Sequence, residues 1–347
     1  MKNIGIVEGF FGPEWNNESR LSWASFLKSH QGSFYIYAPK RDQNLRRGWK
    51  DEWSSQFIDH IKELSNHFHQ EGILFGVGLS PMGLGISLKD EDRSKLKEKI
   101  SLLKNLGVDI LGLFFDDMPV TDNLLSTQKE VVHLANEIYP QGLIFCPSFY
   151  TEDPILDKVF GNRPLGYVEG LKNHIPSNVE ICWTGPKVIS PEISDNYLEQ
   201  TTLLLGRPPF IWENLYANDG PKNCKFLKVR FFEGRESFIP FIRGMALNLM
   251  NQPELSKILY WSTCLALQGL NPEAAFEQSL NDLCSTGFAE FLKNNRNIFL
   301  NDGLDKMSEE LKQSLLQELN ELECPYSKDV KDYLQGFYIV GAECLTD

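Results

Sequence analysis

Asp116 and Asp117 stand side by side directly after Ile110-Leu111-Gly112-Leu113-Phe114-Phe115, so six uncharged, mostly large apolar residues lead straight into two carboxylates. An apolar run of that length, bounded by Asp and by Pro119, suits a parallel strand covered on both faces. Parallel strands present their chemistry at their carboxyl ends. Two acids in one desolvated pocket repel each other, which keeps one protonated while the other is ionised, the division needed for acid–base work. The plainer alternative is a turn with a helix cap, which adjacent aspartates also form. The company the pair keeps decides between the two.

Stepping along the chain, eight β-rich runs recur with helical segments between them, near Ile4–Glu8, Ser33–Tyr37, Ile73–Leu79, Ile110–Phe115, Leu143–Cys146, Glu180–Thr184, Phe210–Trp212 and Gly244–Leu249. Their starts lie about 34 residues apart, the pitch of a strand, a crossover helix and two loops. That pattern predicts a (β/α)8 TIM barrel over residues 1–268. Apolar positions 57, 58, 61, 64 and 68 form one helical stripe, and Leu96, Ile100, Leu103 and Leu106 form another that stops at Gly107. Ser126 or Thr127 is the expected cap of a helix running to Ile138, before Pro140. The stretch 217–235 is rich in Asn, Asp, Gly and Lys and reads as a long irregular loop, a class that tends to be functional. A doubly wound sheet uses the same alternation but needs a glycine-rich phosphate turn. Neither Gly9-Phe10-Phe11-Gly12-Pro13 nor Gly76-Val77-Gly78-Leu79-Ser80-Pro81 supplies one. From about Gly269 the β-branched runs give way to acidic amphipathic helices, so residues 269–347 read as a small helical appendage, opened by an Asn271-Pro272 cap.

In a barrel, residues just past each strand end line one mouth. That set is Gly9, Lys40, Asp116, Asp117, Tyr150, Trp212, Asn214, Asp219 and Asn248. It holds one lysine, three acids, two amides and two aromatics, and neither histidine nor cysteine. The six histidines, at 30, 60, 67, 69, 133 and 174, all avoid strand ends, so a histidine-built metal site or a Ser-His-Asp or Cys-His engine is not expected. Carboxylates with aromatic walls and amide hydrogen bonds suit a sugar site. Ordinary glycosidase acids flank the scissile bond from different parts of the site, whereas neighbouring aspartates approach from one side. That arrangement points to a substrate that brings its own nucleophile, a 2-acetamido oxygen attacking the anomeric carbon.

The net charge of −13 argues against a grip on polyanions, nucleic acid included. Seven cysteines without a Cys-x-x-Cys pair read as reduced thiols; Cys344-Leu345-Thr346-Asp347 does not end as a prenyl acceptor should. The start lacks an apolar secretion signal and no stretch approaches a membrane span, so the cytoplasm is the expected location.

Five segments resemble those of glycoside hydrolase family 84, and they fall in the family's order over roughly residues 3–255: Gly5-Ile6-Val7-Glu8-Gly9-Phe10-Phe11-Gly12, Tyr35-Ile36-Tyr37-Ala38-Pro39-Lys40, Phe114-Phe115-Asp116-Asp117-Met118, Trp183-Thr184-Gly185-Pro186-Lys187-Val188, and Trp212-Glu213-Asn214-Leu215-Tyr216-Ala217-Asn218-Asp219. This is the family of protein O-GlcNAcases and bacterial β-N-acetylglucosaminidases, some of them described as hyaluronidases. The resemblance implies a retaining exo-β-N-acetylglucosaminidase without cofactor or metal, acting on a GlcNAc-containing glycan or glycoprotein through an oxazoline. It implies that Asp116 assists the acetamido group and Asp117 is the general acid/base. Gly9, through its backbone, and Lys40 would hold sugar hydroxyls; Tyr150, Trp212 and Asn214 would form the acetamido pocket; Asp219 would bind hydroxyls on the far side, and Asn248 would line the remaining edge of the site. The chain departs from the family at Phe149, where an acid is usual, at Leu249, where proline is usual, and at Arg41, where an acid is common. It also begins at the first strand, so the extra N-terminal domain of many bacterial members is expected to be missing. An endo-acting hyaluronidase-like enzyme is the alternative within enzymes, and a catalytically silent sugar-binding barrel the alternative outside them.

Overall fold

The computed structural model describes residues 3–84, 87–235 and 237–341; Cys344 and its neighbours at the C-terminus lie outside the described residues. Eight parallel strands close into a barrel in sequence order. They are β1 (Asn3–Glu8), β2 (Phe34–Tyr37), β3 (Leu74–Leu79), β4 (Ile110–Phe114), β5 (Leu143–Cys146), β6 (Glu180–Trp183), β7 (Phe210–Glu213) and β8 (Gly244–Asn248). Every boundary falls within one residue of its expected position. Closure is made by β1 on β8, with Asn3 opposite Gly244 and Val7 opposite Asn248.

Alternation along each strand decides which side chains fill the barrel and which face the helices. Phe34 and Phe210 meet inside, with ring centroids 6.1 Å apart. Glycines opposite them make the room: a Cβ on Gly5 would lie 2.6 Å from the Phe34 ring, and one on Gly244 2.9 Å from that of Phe210. One layer higher, Gly78 and Gly112 make the same allowance for Phe114. Large rings over glycines thus fill the interior as a packed core rather than a pore. Tyr35, on the outer face of β2, stacks instead on Phe68 and Phe75.

The barrel helices are α1 (Asn17–Ser29), α2 (Ser55–Gln70), α3 (Asp90–Asn105), α4 (Leu124–Ile138), α5 (Pro154–Phe160), α6 (Tyr167–His174), α7 (Asp195–Leu205) and α8 (Pro253–Leu267). Gly107, with φ of 85°, ends the turn after α3 as its position required. Leu106 is the C-cap, half-buried, and still packs against the core below Leu103. The expected cap of α4 is corrected. Asn123 is the N-cap residue, and Thr127 donates its N–H to the Asn123 carbonyl at 3.0 Å, within the helix. The earlier start extends the buried stripe back to Leu124, an apolar gain that outweighs a side-chain cap. Between β7 and β8 the described residues form two short 3-10 turns, Asn223–Lys225 and Ile239–Phe241, so the long irregular loop is present.

Beyond Gly269 come α9 (Pro272–Leu283), α10 (Thr286–Asn297), α11 (Gly303–Lys306), α12 (Glu309–Asn320) and α13 (Pro325–Leu334). Asn271 caps α9 with its side chain, and Pro272 takes the first helical position. These helices share the core of the barrel: Phe276, Phe288, Phe291 and Tyr333 belong to the same buried cluster as the strands. Asp329 on α13 accepts from the backbone N–H groups of Glu254 and Leu255, at 2.7 and 3.0 Å, and so caps α8.

Candidate active site

All nine residues expected at the mouth line one pocket, which encloses about 580 Å³ of space open to solvent. The interior register of each strand carries them there. Gly112 and Phe114 run on to Asp116; Ala38 runs on to Lys40; Phe210 and Trp212 run on to Asn214; Gly244 and Ala246 run on to Asn248. Asp117 has the opposite parity. Its φ of 57°, in the left-handed region, turns the backbone so that both acids face the pocket. A non-glycine residue held there is strained, and such strain gathers at functional sites.

Lys40 Nζ donates to Asp116 Oδ2, and both side chains are buried. Among the described residues, Asp116 Oδ1 is buried and has no hydrogen-bond partner. A buried carboxylate oxygen without a donor is costly, so a donor that arrives with a ligand is strongly favoured there. Tyr150 donates its hydroxyl to Asp117 Oδ1 at 3.4 Å. Burial first, and the Asp116 charge second, push the Asp117 carboxyl up to about 6 against the downward pull of Lys40 and Arg46. The pair therefore offers one acceptor and one acid near neutrality.

The floor is aromatic and amide. Trp212 packs edge-on against Phe114, centroids 4.9 Å apart, and a Cβ on Gly9 would lie 2.4 Å from the indole. Trp212 Nε1 donates to Asn214 Oδ1 at 3.0 Å, and Asn248 Nδ2 donates to the same oxygen at 2.9 Å. Asn248 Oδ1 accepts from Gly9 N at 3.3 Å, closing a ring of fixed groups across β7, β8 and β1. Asp219 Oδ2 accepts from Phe11 N at 2.7 Å, which ties the β7–β8 loop to the β1–α1 loop at the rim.

A family model of β-N-acetylglucosaminidases matches residues 4–294. The chain belongs to this family of glycoside hydrolases. The protein O-GlcNAcases of Rattus norvegicus and Mus musculus are each 31% identical over 259 residues, covering 70% of this chain and 27% of the relative. The chain thus spans about a quarter of the length of those two. A solved structure of an O-GlcNAc hydrolase mutant from Thermobaculum terrenum superposes with a TM-score of 0.78 at 25% identity, covering 96% of this chain and 80% of that one.

Several pocket residues had no assigned part in the sequence reading. Val188, at the end of the fourth family-like segment, offers its carbonyl to Asn214 Nδ2 at 2.9 Å, and with Ile189 it lines the pocket. Phe11, Cys146, Thr184 and Asn223 line it too. The period-2 pattern points to Cys146 and Thr184, both on the inward register, but Val188 and Asn223 sit on irregular loops where no pattern applies. None of the three departures from the family lines the pocket. Phe149 is buried against Tyr167 and the Arg163 guanidinium, Leu249 is buried, and Arg41 is exposed.

Proposed function

We propose that this chain is a retaining exo-β-N-acetylglucosaminidase that removes terminal β-linked GlcNAc with the substrate's acetamido oxygen as nucleophile. One observation carries the reading: Asp116 is locked by Lys40 with Oδ1 unbonded and buried, directly beside an acid held near neutrality. Asp116 Oδ1 accepts the acetamido N–H and turns the carbonyl oxygen toward the anomeric carbon. That oxygen's lone pair forms the new C–O bond while the glycosidic C–O bond breaks, and Asp117 gives its proton to the departing oxygen. Asp116 takes the N–H proton, which makes the intermediate a neutral oxazoline; it opens when water attacks the same carbon and gives a proton to Asp117, now a carboxylate, while the ring C–O bond breaks and Asp116 returns its proton to the nitrogen. Two displacements return the original configuration.

Trp212, Asn214 and Tyr150 wall the acetamido group, while Lys40, Asp219 and the Gly9–Asn248 edge meet the hydroxyls. A pocket floored on one side and tied across its rim by Asp219 and Phe11 suits a chain end better than a mid-chain sugar. The O-GlcNAcase names of the relatives support a glycoprotein among its substrates, and seven cysteines without a Cys-x-x-Cys pair suit a reducing compartment such as the cytoplasm.

The test uses Asp117→Ala with aryl N-acetyl-β-glucosaminides of differing leaving-group acidity. Turnover of the poorest leaving group should fall by about 10²–10⁴-fold, with a smaller loss for the most acidic one. Unchanged turnover across the series would end the general-acid assignment.

A further inference from the structure

The β7–β8 connection brings Asp219 and Asn223 to the pocket although, among its described residues, no α-helix stiffens it. Its next stretch, residues 225–229, is held from behind by the appendage. Tyr333 on α13 donates its hydroxyl to the Lys225 carbonyl at 2.7 Å. Leu227 N donates to the Phe299 carbonyl at 3.1 Å, and Arg296 at the end of α10 donates from Nε to the Val229 carbonyl at 2.9 Å. The Arg296 guanidinium also lies 3.8 Å from the Phe231 ring centroid. Gly303 lets the two segments close up, since a Cβ there would stand 2.6 Å from the Lys225 carbonyl oxygen.

The grip passes on to the mouth through one side chain. Asn218 Nδ2 donates to the Phe226 carbonyl at 3.0 Å and to Gln252 Oε1 at 2.8 Å, and its Oδ1 accepts from Asn251 N at 3.0 Å. Asn218 is buried and precedes Asp219. Asn251 in turn donates to the carbonyls of Phe11 and Pro13, at 2.8 and 2.9 Å, in the loop whose Phe11 N–H binds Asp219. The appendage, the loop and the rim therefore form one continuous hydrogen-bonded path.

We propose that the helical appendage is a positioning element for Asp219, with Tyr333 and Arg296 as the positioning residues that fix 225–229 and, through Asn218, the carboxylate at the rim. The kinetic part rests on the glycosidase reading; the structural part does not. Tyr333→Phe removes one hydroxyl, and Arg296→Met removes the guanidinium, with its bond to Val229 and its contact with the Phe231 ring, while keeping most of the stem. In the full chain each should raise KM for an aryl N-acetyl-β-glucosaminide about three- to ten-fold, the equivalent of one hydrogen bond, with kcat within about two-fold. In an Asp219→Ala background neither should raise KM further, because the residue they position is gone. Hydrogen exchange of the amides from 218 to 229 should quicken in both variants while that of β1 and β8 stays as in the parent.

An unchanged KM, or effects that add in full to Asp219→Ala, would overturn the proposal, as would parental exchange in 218–229. If Arg296→Met fails to fold, Tyr333→Phe carries the test. A parent chain that turns over no such glycoside would refute the glycosidase reading, and the exchange measurement would still decide the positioning claim.

Discussion

Two kinds of buried charge meet at the strand ends, one residue apart. Glu8 ends β1 beside Gly9, and Glu213 lies between Trp212 and Asn214 on β7, but both face outward, away from the pocket. Glu8 is bonded twice by Arg20, at 2.7 and 2.8 Å, and once more by the Tyr35 hydroxyl. Glu213 takes Arg235 through both oxygens, at 2.6 and 2.9 Å, and the Leu215 N–H at 2.9 Å; Arg235 further donates to the carbonyls of Ser190, Pro191 and Glu233. The inward carboxylates are the opposite. Asp116 keeps an oxygen unbonded, and burial with the Asp116 charge pushes the Asp117 carboxyl up to about 6. Completed pairs hold the strand ends in place, and incomplete ones are held ready for a ligand. Arg46 is likewise buried and incompletely bonded: its Nη1 has no partner among the described residues, and it lies over Phe11 at 5.5 Å.

The contrast breaks most easily at the acids. Asp116→Asn should cut kcat/KM by about 10²–10³-fold, as removal of a transition-state contact does, together with a lowered melting temperature, because the buried Lys40 ammonium loses its charge partner. A stability loss without an activity loss would place Asp116 among the scaffold charges.

Arg235→Met is the converse. It strands Glu213 in the core and should cost about 3–5 kcal/mol of folding stability, read by denaturant unfolding, while folded protein keeps its turnover within a few-fold. Gly9→Ala tests the floor. The added methyl meets Trp212, and displacing the indole should raise KM by about ten-fold with a stability cost of about 1–3 kcal/mol.

The smallest effect should come from Arg46→Met. The acid must be protonated to act, so kcat/KM of the parent falls as pH rises through about 6. Removing a nearby cation raises the acid's proton affinity, so this basic limb should move to higher pH. A limb that stays put would detach Arg46 from the pair.

How far the sequence disclosed this molecule follows from the same contrast. Strand ends were legible because a two-residue alternation running into Asp116, Asn214 or Asn248 is local, and five ordered segments fixed their company. The Glu8–Arg20 and Glu213–Arg235 pairs were not legible, since nothing in a glutamate at a strand end tells which loop returns an arginine to it. The left-handed turn at Asp117 was equally hidden, because the sequence there reads as an ordinary cap. Asn218 stood inside a family-like segment, yet its part in joining loop, rim and appendage depends on contacts with Phe226, Asn251 and Gln252 that only folding creates.

The central claim is that the nucleophile belongs to the sugar. Aryl β-glucosaminides carrying N-acetyl, N-fluoroacetyl, N-difluoroacetyl and N-trifluoroacetyl groups test it most directly, since each fluorine drains electrons from the attacking oxygen without altering the enzyme. A steep, monotonic fall in kcat/KM along the series is the predicted result, and equal rates for all four substrates would contradict it.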